Sequence, residues 1–122
     1  MSNQNISLEQ AIAMTQLYRE NKESILKEGV DPDVLALSET FEKEAIEQIL
    51  VVEGCAGVRI YYGMSEDLYL HAILVAVDSN GADILPSENN ATVNNAVMTD
   101  PPIKEEGKRC PPDCPPHSAL TN

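Results

Sequence analysis

The chain has 122 residues, with 20 Asp and Glu against 8 Lys and Arg, for a formal net charge of −12. That length suits one domain with a single hydrophobic core, and with one Phe, four Tyr and no Trp the core must be aliphatic. So acidic a surface repels phosphate backbones, and the one basic grouping, Lys104, Lys108 and Arg109, is interrupted by Glu105 and Glu106, so nucleic-acid binding is not expected.

Ser7 followed by Gln10 has the spacing of a capping box, and Leu8, Ala11, Ile12, Met14, Tyr18, Ile25 and Leu26 recur at helical spacing, predicting a helix over about 8–28. Asp31-Pro32 supplies a cap and first position for a short turn through Val34, Leu35 and Leu37. Ser38 reads as a second cap, opening a helix from Glu39 in which Phe41, Ala45, Ile46, Ile49 and Leu50 form the apolar face. Much of the acidic excess, seven carboxylates against Lys43 between Asp31 and Glu53, is then the wet side of that helix, with Gly54 as its stop. Two strands follow, over Val58 to Tyr62 and Leu68 to Val77, and Asp78-Ser79-Asn80-Gly81 turns the chain into a short third strand at Ala82 to Leu85. The expected fold is α+β, with two N-terminal helices packed on one face of a three-stranded antiparallel meander.

Composition changes after Leu85, because seven of the eight prolines lie from Pro86 onward. This places a compact domain at 1–85 and a linker with a Cys- and Pro-rich tail, extended or partly disordered, at 86–122; Thr92-Val93 and Ala96 to Met98 offer a weak edge-strand pattern within it. No apolar run approaches the ~18 residues of a membrane span, and Met1 to Ser7 lacks the charged and apolar regions of an export signal. A cytoplasmic protein with no membrane partner is expected.

The block Ser38-Glu39-Thr40-Phe41, then Gly54-Cys55-Ala56-Gly57-Val58-Arg59-Ile60-Tyr61-Tyr62-Gly63-Met64, Val77-Asp78-Ser79-Asn80-Gly81-Ala82-Asp83-Ile84 and Arg109-Cys110-Pro111-Pro112 resembles a family of small bacterial proteins with no assigned activity. The resemblance brings no functional residues with it. It implies that Cys55, the sheet and the tail belong to one design.

Chemistry is concentrated in the tail, where Cys110-Pro111-Pro112-Asp113-Cys114-Pro115-Pro116-His117 doubles a Cys-Pro-Pro unit. Cys110, Cys114 and His117, completed by Cys55, have the residue types of a tetrahedral zinc site. A straight polyproline segment would hold Cys110 and Cys114 roughly 12 Å apart, so either a shared ion or a disulfide needs a turn, for which Pro112-Asp113 is suited. In a reducing compartment the thiols are expected to stay open, with the tail a stiff docking segment. Cys55 follows the C-terminal end of a helix, where the dipole opposes a thiolate, and reads as a buried structural thiol.

The sheet offers a second constellation, Arg59, Tyr61, Tyr69 and His71. These share a face only if the strands pair in the register that sets odd residues opposite odd ones. No catalytic carboxylate pair, phosphate loop or Ser-His-Asp pattern is recognisable. The sequence therefore points to a non-enzymatic, cofactor-free interaction domain that binds a protein partner or a second copy of itself. A metal-binding or thiol-redox protein built on Cys55, Cys110, Cys114 and His117 is the alternative.

Overall fold

The computed structural model describes residues 4–86 and 101–121. Helix α1, Leu8–Asn21, opens on the expected capping box: Ser7 Oγ accepts from Gln10 N, and Gln10 Oε1 accepts from Ser7 N, both at 3.0 Å. It stops short of residue 28 because polar side chains turn onto nearby carbonyls: Asn21 Nδ2 donates to Leu17 O and Ser24 Oγ to Asn21 O, each at 2.8 Å. No residue of α1 is buried. Polar contacts tie it down: Tyr18 Oη donates to Ala36 O (2.6 Å), and Lys22 Nζ to Pro32 O and Leu35 O (2.9 and 2.8 Å). Pro32–Val34 forms the expected short turn, as a single 3-10 turn capped by Asp31.

Where a second cap and helix start were expected at Ser38, the chain instead forms strand β1, Ser38–Thr40. Its pairing partner lies at the other end of the sequence, which local periodicity does not register. Helix α2, Lys43–Leu50, begins only after Phe41. It buries Ile49 completely against Leu74 and Ala76, with Phe41, Ile46, Val52, Cys55 and Ile84 packed around them. The aliphatic core is thus supplied on the helical side by α2, and the expectation that both helices cover the sheet is corrected.

Strands β2, Gly57–Met64, and β3, Leu70–Val77, pair antiparallel over their full lengths, from Gly57 opposite Val77 to Met64 opposite Leu70. Arg59 faces Val75 and Tyr61 faces Ile73, so odd residues oppose odd ones. The turn at Asp78 to Gly81 closes as predicted: Asp78 Oδ1 accepts from Asn80 N and Ala82 N, and Gly81 takes φ +84°. Strand β4, Asp83–Ile84, then joins the opposite edge of β3, with Ile84 opposite Ala76.

The boundary expected at residue 85 does not divide the fold. The chain joins that same edge again as β5, Ile103–Lys104, with Ile103 opposite Val75. Ile103 takes the rung that Leu85 would fill if β4 ran on, so β4 and β5 are one interrupted strand. Strand β6, Lys108–Cys110, then pairs antiparallel with β1 in a second, two-stranded sheet. The fold is α+β with six strands in two sheets among the described residues, in place of a three-stranded meander with a detached tail. The weak strand pattern at Thr92 to Met98 lies outside the described residues. No helix among the described residues is long and apolar enough to cross a membrane.

Candidate functional site

The two sheets meet at one point, and two side chains make the junction. Backbone groups alternate along an antiparallel strand, and those of Leu70 and Ala72 face the edge that β5 leaves uncovered. Arg109 Nε donates to Leu70 O at 2.7 Å, and Glu39 Oε1 accepts from Ala72 N at 3.0 Å. Glu39 and Arg109 are directly opposite each other in the β1–β6 pair, so their side chains leave the ribbon on the same face. Together they satisfy a strand edge that would otherwise need a further strand. Gly107 allows the close approach: a Cβ there would lie 2.6 Å from Glu39 Cγ and 2.7 Å from Phe41 Cε1.

Arg109 is 8% exposed. Its Nη2 donates to Asp33 O and Val34 O at 3.0 and 3.3 Å, and its guanidinium carbon lies 5.1 Å from the Tyr69 ring centroid, a cation–π contact. Tyr69 Oη donates to Asp31 Oδ2 at 2.5 Å, which raises the phenol pKa and lowers that of Asp31. Around Arg109 opens a cleft of about 370 Å³, walled by Tyr69, His71, Pro111 and Pro112, with Asp33 and Asp67 also lining it. Ser65 Oγ donates to Asp67 Oδ1, and this bond, with weaker help from His71 and Arg109, holds the Asp67 carboxyl below its ordinary range.

The expected Arg59, Tyr61, Tyr69 and His71 face has the required register but divides in two. Arg59 and Tyr61 reach across β3 to Asp83 on β4: Arg59 Nη1 lies 2.5 Å from Asp83 Oδ1, and Tyr61 Oη donates to Asp83 Oδ2. These bonds, Tyr61 first and Arg59 second, lower the Asp83 pKa, while the Asp83 bond raises that of Tyr61. Tyr69 and His71 lie toward the other end of β3 and belong to the Arg109 cleft. His71 Nδ1 is buried without a hydrogen bond, 3.5 Å from Glu105 Oε2.

The expectation of open thiols on a stiff tail is corrected. Cys110 and Cys114 form a disulfide with a Cα–Cα distance of 4.4 Å, in a turn closed by Asp113 N donating to Arg109 O at 2.9 Å. The Cys110–Pro111 and Pro111–Pro112 bonds are both cis. Cys55 stays apart as a free thiol beside the core cluster, its Sγ donating to Gly57 O at 3.3 Å. His117 lines a separate cleft of about 430 Å³ with Tyr18, Leu37, Cys114 and Leu120. Cys55, Cys110, Cys114 and His117 are therefore not gathered, and among the described residues no cluster of three His, Cys, Asp or Glu is placed to hold a metal ion.

The other notable surface is the edge of β2, which ends the four-stranded sheet and has no partner strand among the described residues. Ser65 N donates to Tyr69 O, so alternation turns the backbone groups of Val58, Ile60, Tyr62 and Met64 outward. Those four side chains are 37, 52, 75 and 62% exposed, and Arg59 is the one charged residue of the strand. Comparison with known proteins adds no relative: no family model, curated protein or solved structure matches the chain.

Proposed function

We propose that this chain is a non-enzymatic interaction domain that associates with a second copy of itself through the β2 edge. The observation that carries this reading is the edge itself: eight residues long, apolar, and without the Lys, Pro or bulge that usually blunts an exposed strand. Charge favours a second copy as the occupant. In a chain of net charge −12, β2 contributes only Arg59, already paired with Asp83, so self-pairing brings no carboxylates face to face. Antiparallel pairing about a two-fold axis at Tyr61 keeps each face of the sheet continuous and sets Ile60 opposite Tyr62, and Val58 opposite Met64, of the other copy. The Cys-Pro-Pro segment serves its own domain in this reading, as the clasp behind β6.

Sedimentation equilibrium over a range of protein concentrations tests the proposal. Wild-type protein is expected to be dimeric, and the double variant Ile60→Lys/Tyr62→Lys monomeric with an unchanged circular dichroism spectrum. Both side chains are exposed, so the fold does not depend on them. A wild-type monomer at every concentration, or a dimer that survives both lysines, would overturn it.

A further inference from the structure

We propose that the cleft at Arg109 binds a small zwitterion of the α-amino-acid class, with its carboxylate on Arg109 Nη1 and its ammonium group at Asp67. Arg109 is more than nine-tenths buried, yet no carboxylate forms an ion pair with it among the described residues. Its Nε and Nη2 are engaged by three backbone carbonyls, while Nη1 has no hydrogen-bond partner among the described residues. The carboxylates of Glu39 and Asp67 lie in its surroundings but make no ion pair with it, and an anion delivered through the cleft supplies the acceptor that Nη1 lacks.

The rim selects which anion. Asp67 and Asp33 line the same opening, and the Asp67 carboxylate, to which Ser65 donates, carries its charge at neutral pH as aspartates ordinarily do. Two carboxylates repel a dianion such as phosphate but attract an ammonium group next to a single carboxylate. The cleft, at about 370 Å³, has the size of a small-ligand site. Tyr69, Pro111 and Pro112 provide apolar and aromatic walls, and the last two are fixed inside the Cys110–Cys114 loop. This site is built on the β2–β3 turn and the start of β3, just beyond the end of β2, and its binding test does not require the dimer.

The test is isothermal titration of the intact, oxidised protein with L-alanine, L-aspartate, L-lysine and L-phenylalanine. Propionate and ethylamine serve as the single-charge halves of alanine, and inorganic phosphate as the bare anion. At least one amino acid is expected to bind, with propionate and ethylamine weaker by tenfold or more. Because Arg109 also joins the sheets, Asp67→Asn at the exposed rim is the decisive variant, expected to weaken the amino acid tenfold or more while binding propionate at least as tightly as wild type. No binding by any of the four amino acids, tighter binding of phosphate, or an Asp67→Asn protein that binds as well as wild type would overturn the proposal.

Discussion

Replacing Gly107 with alanine probes the junction between the sheets most directly. The new Cβ would lie 2.6 Å from Glu39 Cγ, 2.7 Å from Phe41 Cε1 and 2.8 Å from Glu39 Oε2, far inside the ~3.5–4.0 Å optimum for carbon contacts. Neither neighbour yields easily. Glu39 is held by the Ala72 amide, and Phe41 packs on the Ile49, Leu74 and Ala76 core. Overpacking of this kind costs about 1–3 kcal/mol. Against it stands the gain from a less flexible unfolded chain, about 0.4–1 kcal/mol for Gly to Ala. The clash wins, for a net destabilisation of about 1–2 kcal/mol, which lowers the urea midpoint by roughly 0.5–1 M at unchanged m. Adding Glu39→Ala removes two of the three close contacts, so the double-mutant cycle should show a coupling of about 1 kcal/mol or more. A Gly107→Ala protein as stable as wild type, or additive with Glu39→Ala, would refute the packing of β6 against β1 described here.

Reducing Cys110–Cys114, or replacing both with serine, opens a very short loop and should cost about 2 kcal/mol by loop-closure entropy, read as a lower urea midpoint with and without reductant. A thiol count on the unfolded, unreduced protein should return Cys55 alone. Asp83 is held below the ~3.9 of an unfolded aspartate, so its bonds to Tyr61 and Arg59 stabilise the fold fully above that value and lose their effect as the pH falls through the lower folded one. Asp83→Asn should therefore flatten the acid limb of the stability profile, measured as urea midpoint against pH, and an unchanged slope would place the acid sensitivity elsewhere. The Ile60→Lys/Tyr62→Lys variant should in addition stay soluble under conditions where wild type associates.

Local signals in the sequence were strong where one residue decides a geometry. Ser7 and Gln10 mark the start of α1, Asp31-Pro32 the short turn, and Asp78 to Gly81 the reversal between β3 and β4. The apolar run of Leu68 to Val77 predicts the central strand, which in the fold begins two residues later at Leu70. What was not legible depends on partners distant in sequence. Ser38-Glu39-Thr40 is polar and too short to show a period, and it becomes a strand only because Lys108 to Cys110 returns beside it. The prolines after Leu85 read as a linker, yet they flank β5 and a disulfide-closed turn. Arg109 drew notice only as one of three scattered basic residues and as the first residue of the Arg-Cys-Pro-Pro block. Its place between two sheets follows from register, which composition does not encode.

The interrupted strand on the edge of β3 has a consequence for how this fold tolerates change. Ile84 and Ile103 occupy adjacent rungs, so the chain leaves the sheet and re-enters it at almost the same place. Everything between them is topologically a parenthesis: lengthening it, shortening it or exchanging it for a foreign domain leaves the hydrogen-bond ladder with the same two endpoints. The step from Ile84 to Ile103 is therefore the natural graft point of this protein, because both ends of an inserted sequence would be anchored on neighbouring rungs of β3.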